Sequence, residues 1–147
     1  DSALRYAQDQ GIAEANPSLD LDGWDAAVKL SILIQALMGA KIKPAEIQRE
    51  GISEETGRLV RAAVRRDRRI RLVARAYRQG GKVTGKVEPE ELEVSDPLAA
   101  MRGLSNILIL NTDTMRELAL VENSPSVDQT AFALFTDLVT LLRRPQA

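Results

Sequence analysis

Hydrophobic positions recur along the chain with two periods, and the switches between them mark its elements. Residues 2 to 10 place Leu4 and Ala7, with Ala3 beside them, on one helical face, and Gly11 supplies the C-terminal stop. Ile12 to Gly23 shows no period; it is rich in turn formers and reads as a loop carrying Glu14, Asp20 and Asp22. A second helix is predicted from about Asp22 to Met38, N-capped by Asp22, with Asp25 in its first turn and Gly39 at its end. Trp24, Val28, Leu30, Ile32, Leu33, Ile34 and Leu37 leave it apolar almost all round, the pattern of a buried central helix. Ile42 to Gly51 reads as a connector with a turn at Pro44. A third helix follows from Ser53 to about Arg66, with Leu59, Ala62, Ala63 and Val64 as its apolar positions.

The period then drops to two. Ile70, Leu72, Ala74 and Ala76 alternate with Arg69, Arg71, Val73, Arg75 and Tyr77, which predicts a strand over 70–77. Gly80-Gly81 turns it into a second strand, Lys82 to Val87, and a further hairpin is predicted from Asn106 to Asn111 and about Glu117 to Glu122. Between the hairpins, Ser95-Asp96-Pro97 introduces a short helical turn, Leu98 to Met101. The last helix runs from about Val127 to Arg144, with Ala131, Leu134, Phe135, Leu138, Leu141 and Leu142 at helical spacing. Helices and hairpins do not alternate as in a doubly wound fold, so the predicted class is α+β: one domain, 1–147, with a helical layer on a largely antiparallel or mixed sheet.

Composition narrows the chemistry. The 147 residues include no Cys and no His, which excludes disulfides, Cys/His zinc sites, thiol nucleophiles and imidazole bases, leaving carboxylates and lysine. No metal site is expected. Twenty Lys and Arg against 21 Asp and Glu give a net charge of −1, which offers no global attraction to nucleic acid or an anionic membrane. The longest apolar stretch, around Leu30 to Met38, is too short to span a bilayer, and the cytoplasm is the default compartment. The chain starts without Met and already in helix, which reads as part of a longer polypeptide.

The central helix carries the candidate chemistry. Lys29 lies four residues after Asp25, so the two side chains meet on a stripe that also holds Ile32, Leu33 and Ala36. As a solvated intrahelical pair they would contribute only about 0.3–0.5 kcal/mol. On an apolar face, however, the lysine loses solvation of its charge while the carboxylate opposes that loss, a competition typical of catalytic lysines. Glu14, Asp20 and Asp22, just upstream, suit a cationic ligand; capping and turn chemistry explain Asp22 fully and Asp20 partly, but Glu14 poorly.

The stretch from Gly11 to Leu30 resembles the signature of homoserine dehydrogenases: a Gly, a Glu three later, and an Asp eleven and a Lys fifteen beyond that Glu, matched by Gly11, Glu14, Asp25 and Lys29. Ile47-Gln-Arg-Glu-Gly-Ile52 and Ser95-Asp-Pro-Leu-Ala-Ala-Met-Arg-Gly103 are also similar to pieces of that family's catalytic domain. The resemblance implies a substrate-binding and dimerisation domain of an oxidoreductase that interconverts homoserine and aspartate semialdehyde, in threonine and methionine biosynthesis. It implies Lys29 as catalytic lysine, Asp25 orienting it, and Glu14 and Asp20 holding the substrate ammonium. It further implies NAD or NADP, bound mainly by a domain absent from this chain, a small amino-acid substrate, and a homodimer without nucleic-acid or membrane partners.

Departures keep alternatives open. Glu122-Asn-Ser-Pro-Ser-Val-Asp-Gln stands where the family carries a Gly-Ala-Gly stretch before the Thr-Ala pair, here Thr130-Ala131, and Ile12 replaces an aromatic residue. No Gly-x-Gly-x-x-Gly occurs in the chain. A non-catalytic homologue keeping an acidic amino-acid pocket is the alternative, with an interaction or dimerisation module as another. An anion-binding module using the arginines is a third: Arg58, Arg61, Arg65, Arg66, Arg68, Arg69, Arg71, Arg75 and Arg78 fall within 21 residues. Against this, strand alternation puts Arg69, Arg71 and Arg75 on one face, within reach of the acids from Glu88 to Glu93, which reads as a salt-bridged surface or a subunit interface.

Overall fold

A long β-hairpin and one apolar helix organise the first part of the chain in the computed structural model, which describes residues 2–9 and 11–143. Gln10 and Arg144, the predicted ends of the first and last helices, lie outside the described residues. Contacts divide the chain into two compact units, Asp1–Ala99 and Ala100–Ala147. The fold is α+β.

In the first unit, helix α1 (Ser2–Asp9) leads to a short α2 (Ser18–Leu21) and then to α3 (Trp24–Met38). A 3-10 turn at Pro44–Glu46 precedes β1 (Gln48–Arg49), and α4 (Glu54–Val64) precedes the two long strands β2 (Arg68–Gln79) and β3 (Lys82–Glu93). The strands pair without interruption from Gln79↔Lys82 to Arg68↔Glu93, so the predicted hairpin exists but runs well beyond the 70–77 and 82–87 segments visible by alternation. Gly80 and Gly81 both take positive φ, +55° and +81°, which a two-residue turn matching the strand twist requires.

The sheet order is β1-β3-β2, with β1 parallel to β3 and β2 antiparallel to it. β1 lies inside the stretch read as a connector; two residues are too short to show alternation, and the strand exists because Gln48 and Arg49 pair with Lys86 and Val87. The predicted helical turn at Leu98 to Met101 is instead a non-helical turn over 97–100, closed by the Leu98 amide on the Asp96 carboxylate (2.8 Å) and the Ala99 amide on the Asp96 carbonyl (2.9 Å).

One sheet face takes α3. Ala27, Leu30 and Ile34 pack with Ile47, Val83 and Val87, and with Leu72 and Ala76 of β2. Gly85 permits this approach: a Cβ there would lie 3.1–3.3 Å from the tips of Leu30, Ile47 and Ile34. The opposite parity of β2 and β3 forms a smaller cluster, Val73 and Leu92 under Ala99 and Leu98. Ser53 caps α4, exchanging hydrogen bonds with Thr56, and that helix ends at Val64, the last of its predicted apolar positions, rather than near Arg66.

In the second unit, β4 (Asn106–Thr112) and β5 (Arg116–Glu122) form the expected hairpin, with Ile107↔Val121, Leu108↔Leu120 and Leu110↔Leu118 across it. Helix α5 (Val127–Arg143) follows. No described residue of 100–143 is buried, so this unit's apolar side chains remain open to further packing.

Candidate active site

The acidic segment and the start of α3 are shaped by a backbone reversal at Gly23. Residues Ser18–Leu21, read from sequence as loop, close into one helical turn through amide bonds from Leu21 to the Pro17 carbonyl (2.9 Å) and from Asp22 to the Ser18 carbonyl (2.8 Å). Asp22 therefore ends α2 rather than capping α3. The cap of α3 is Gly23 at φ +73°, with no side-chain hydrogen bond. A left-handed residue is needed there to turn one helix directly into the next.

Lys29 and Asp25 meet as their spacing requires, Nζ to Oδ2 at 2.8 Å. Their surroundings differ from the predicted ones. α3 buries Ala27, Leu30, Ser31 and Ile34, and Lys29 projects from the opposite side of the helix. The lysine side chain is 71% exposed and the aspartate 46%. Ile32, on the same outward stripe, is 61% exposed and Val28 is 41% exposed. The stripe is apolar in composition, but within this chain it is a surface, because the sheet covers only one side of a helix that is apolar almost all round.

Glu14 and Asp20 are both exposed, and among the described residues neither carboxylate has a hydrogen-bond or ion-pair partner. Among the described residues, no hydrogen bond or ion pair joins either carboxylate to the Lys29–Asp25 pair. Two clefts of about 500 Å³ lie elsewhere: one is bounded by Arg66, Arg68, Glu93 and Ser95, the other by Lys41, Glu46, Lys82 and Gly85. The structure thus brings Asp25 and Lys29 together and leaves Glu14 and Asp20 as free carboxylates on the preceding segment. Among the described residues no group of three Asp or Glu side chains is arranged to hold a metal ion, and no helix is long and apolar enough to cross a membrane.

Two residues at this site were not singled out by sequence reasoning. Arg49, on β1, lays its guanidinium over the Trp24 ring at 3.6 Å from the centroid and donates from Nε to the Asp22 carbonyl at 2.7 Å. Trp24 reads in sequence only as an apolar helix position, and Arg49 only as part of the Ile47–Ile52 stretch; nothing local signals that Arg49 meets Trp24 and the Asp22 carbonyl, the latter 27 positions away.

The arginine run behaves as a surface of ion pairs. Arg75 chelates Glu90 through two 2.6 Å bonds, Arg66 reaches Glu91 (2.9 Å) and Arg68 reaches Glu93 (3.2 Å). The Glu90 hydrogen bond pushes the Arg75 guanidinium above its ordinary range. Of the three arginines expected to pair with these acids, Arg75 does so through both carboxylate oxygens of Glu90. Arg71 donates to the Ala99 carbonyl, and Arg69 donates to the Arg68 carbonyl and lies 4.0 Å from Asp67, because its register partner on β3 is Leu92.

Comparison with known proteins adds what this geometry leaves open. The homoserine dehydrogenase family profile matches residues 1–139. The chain is 30% identical over 139 residues to the homoserine dehydrogenase of Methanocaldococcus jannaschii, covering 95% of this chain and 40% of that protein. It is 30% identical over 138 residues to the NAD(+)-dependent homoserine dehydrogenase of Pseudomonas canavaninivorans, covering 93% and 39%. Among solved structures, Staphylococcus aureus homoserine dehydrogenase superimposes with a TM-score of 0.85 at 28% identity, covering 96% of this chain and 35% of that one. The enzyme from Thiobacillus denitrificans gives 0.84 at 31% identity, covering 94% and 32%.

Proposed function

Given that the chain belongs to the homoserine dehydrogenase family of oxidoreductases, we propose that it supplies the substrate half of an enzyme interconverting homoserine and aspartate semialdehyde, with Lys29 as the proton donor and acceptor. The chain spans about a third to just over two fifths of the length of the relatives it matches. The observation that carries the reading is the 2.8 Å Lys29–Asp25 pair on an uncovered apolar stripe, one helix away from two unpaired carboxylates.

The chemistry assigned to these residues is limited. In the oxidising direction the substrate hydroxyl gives up its proton as hydride leaves the adjacent carbon, and the Lys29 amine takes that proton; in the reducing direction the ammonium returns it. Asp25 fixes the Lys29 side chain by a charge-assisted hydrogen bond. Glu14 and Asp20 attract the substrate α-ammonium, which keeps its charge throughout the reaction.

A nicotinamide dinucleotide, NAD or NADP, is the hydride carrier this reading requires, and the residues described here do not form its cradle. The chain has no Gly-x-Gly-x-x-Gly. At the start of α5, Ser126 and Gln129 satisfy the local amides themselves: the Ser126 amide donates to the Gln129 side chain and the Asp128 amide to the Ser126 hydroxyl. A dinucleotide-binding domain that packs over the Val28–Ile32 stripe would exclude water from Lys29. A homodimer in the cytoplasm, serving threonine and methionine biosynthesis, completes the proposal.

Two substitutions test it in the holoenzyme, assembled with a dinucleotide-binding domain. Lys29→Ala lowers turnover by about 10²–10⁴-fold with little change in the Michaelis constant for homoserine. Glu14→Gln raises that constant while turnover is kept, since its ion pair is present in ground and transition states alike. Near-normal turnover of the Lys29→Ala enzyme overturns the assignment, and an intact wild type without homoserine-dependent nicotinamide reduction favours a non-catalytic homologue.

A further inference from the structure

The segment from Leu21 to Trp24 is gripped from one side by a strand that contributes no residue to the proposed chemistry. Arg49 stacks on Trp24 and binds the Asp22 carbonyl with Nε at 2.7 Å. Three residues on, the Ile52 amide donates to the Leu21 carbonyl at 2.6 Å, and between them the Glu50 amide donates to the Val87 carbonyl at 2.8 Å. Residues 49–52 thus form a bridge with one side on the sheet and the other on the acidic segment. The glycines on both sides allow the closeness: a Cβ on Gly51 would lie 2.3 Å from the Leu21 carbonyl oxygen, and one on Gly23 would lie 3.2 Å from the Arg49 side chain. Asp20 stands immediately before the gripped residues and Asp25 immediately after.

We propose that Arg49 is a positioning residue for substrate recognition: its clamp on Trp24 and the Asp22 carbonyl fixes where Asp20 stands relative to Asp25 and Lys29. This rests on the reading that Asp20 holds the substrate ammonium. The physical basis is that α2 is a single turn with no buried residue of its own, so packing within it cannot set its position. The restraint comes from outside, from a guanidinium whose plane stacks on the indole and whose Nε–H points at one carbonyl. Arginine suits both tasks because its donors are fixed in the plane that stacks; lysine offers a point charge on a flexible stem.

The position of Trp24, the only tryptophan in the chain, gives the clamp its own signal. In the holoenzyme, Arg49→Ala is expected to raise the Michaelis constant for homoserine about tenfold, the loss of one charge-assisted hydrogen bond, with turnover kept within about threefold. Arg49→Lys is expected to fall between the two. Acrylamide quenching of Trp24 fluorescence increases in both variants while far-ultraviolet circular dichroism stays at the wild-type level. An unchanged Michaelis constant in Arg49→Ala, with quenching increased, overturns the proposal by reducing the clamp to a purely structural contact. Unchanged quenching in Arg49→Ala overturns it by removing the clamp. Should Arg49→Ala lose its circular dichroism, Arg49→Lys decides by the same two readouts. A wild-type holoenzyme inert towards homoserine overturns the site reading instead, and the quenching comparison then still reports whether the clamp exists.

Discussion

Replacing Gly51 by alanine isolates the junction between the acidic segment and the sheet. An added Cβ would stand 2.3 Å from the Leu21 carbonyl oxygen and 2.8 Å from the Asp22 Cα, both backbone atoms that no rotamer change can move. An ordinary carbon–oxygen contact is about 3.3 Å, so the two backbones must part by about 1 Å. That separation breaks the 2.6 Å Ile52–Leu21 hydrogen bond, a loss of about 0.5–1.5 kcal/mol. Overpacking adds about 1–3 kcal/mol. The restriction of the unfolded chain by alanine offsets about 0.4–1 kcal/mol of this. The net effect is a destabilisation of about 0.5–4 kcal/mol. Gly57, inside α4, is the internal comparison: its Cβ would meet only the Arg61 guanidinium, at 3.9 Å, and alanine there should stabilise by about 0.5–1 kcal/mol. Urea unfolding followed by Trp24 fluorescence reads both, since Trp24 lies in the first unit. The midpoint should fall for Gly51→Ala and rise for Gly57→Ala. A Gly51→Ala midpoint at or above the wild-type value would refute the packing argument, whatever the comparison does.

Other expectations follow from the same contacts. Ile34→Ala, at a side chain only 1% exposed between α3 and β3, should cost about 2–5 kcal/mol in urea unfolding. Lys86 is held in its charged form by its hydrogen bond to Glu88, which raises its pKa above the ordinary 10.5. A raised folded pKa means that the contribution is complete below the ordinary value and lost as pH rises through the folded one, so Glu88→Gln should flatten stability measured above about pH 10.5. In the holoenzyme, Asp20→Asn should raise the Michaelis constant for homoserine and leave that for the nicotinamide cofactor unchanged, as steady-state titration of each substrate would show.

What could be read from sequence depended on whether the signal was local. The apolar alternation of β2 and the Gly80-Gly81 turn announced the hairpin, and the i, i+4 spacing announced the Asp25–Lys29 contact, because each is decided within a few residues. The outer half of the hairpin was hidden by Arg68, Arg69 and the acids from Glu88 to Glu93, whose charges disguise a ladder that forms by pairing with the opposite strand. β1 and the Arg49 clamp arise only once the sheet exists. The exposure of Lys29 is not legible for a related reason: periodicity shows that α3 is apolar on every side, but not which side this chain itself covers. Gly23 rather than Asp22 caps α3, since the turn of α2 uses the preceding backbone first. The family signature, in contrast, was carried by residue identity at fixed spacing and survived all of these local uncertainties.

The most direct test is to locate the substrate on the chain. In an amide-resolved NMR titration of the isotope-labelled protein with L-homoserine, saturable shifts should concentrate on Glu14, Asp20, Asp25 and Lys29 and their neighbours. With 4-hydroxybutyrate, which lacks the ammonium group, those at Glu14 and Asp20 should vanish. Shifts centred instead on the arginines of β2, or no saturable change between residues 14 and 29, would contradict it.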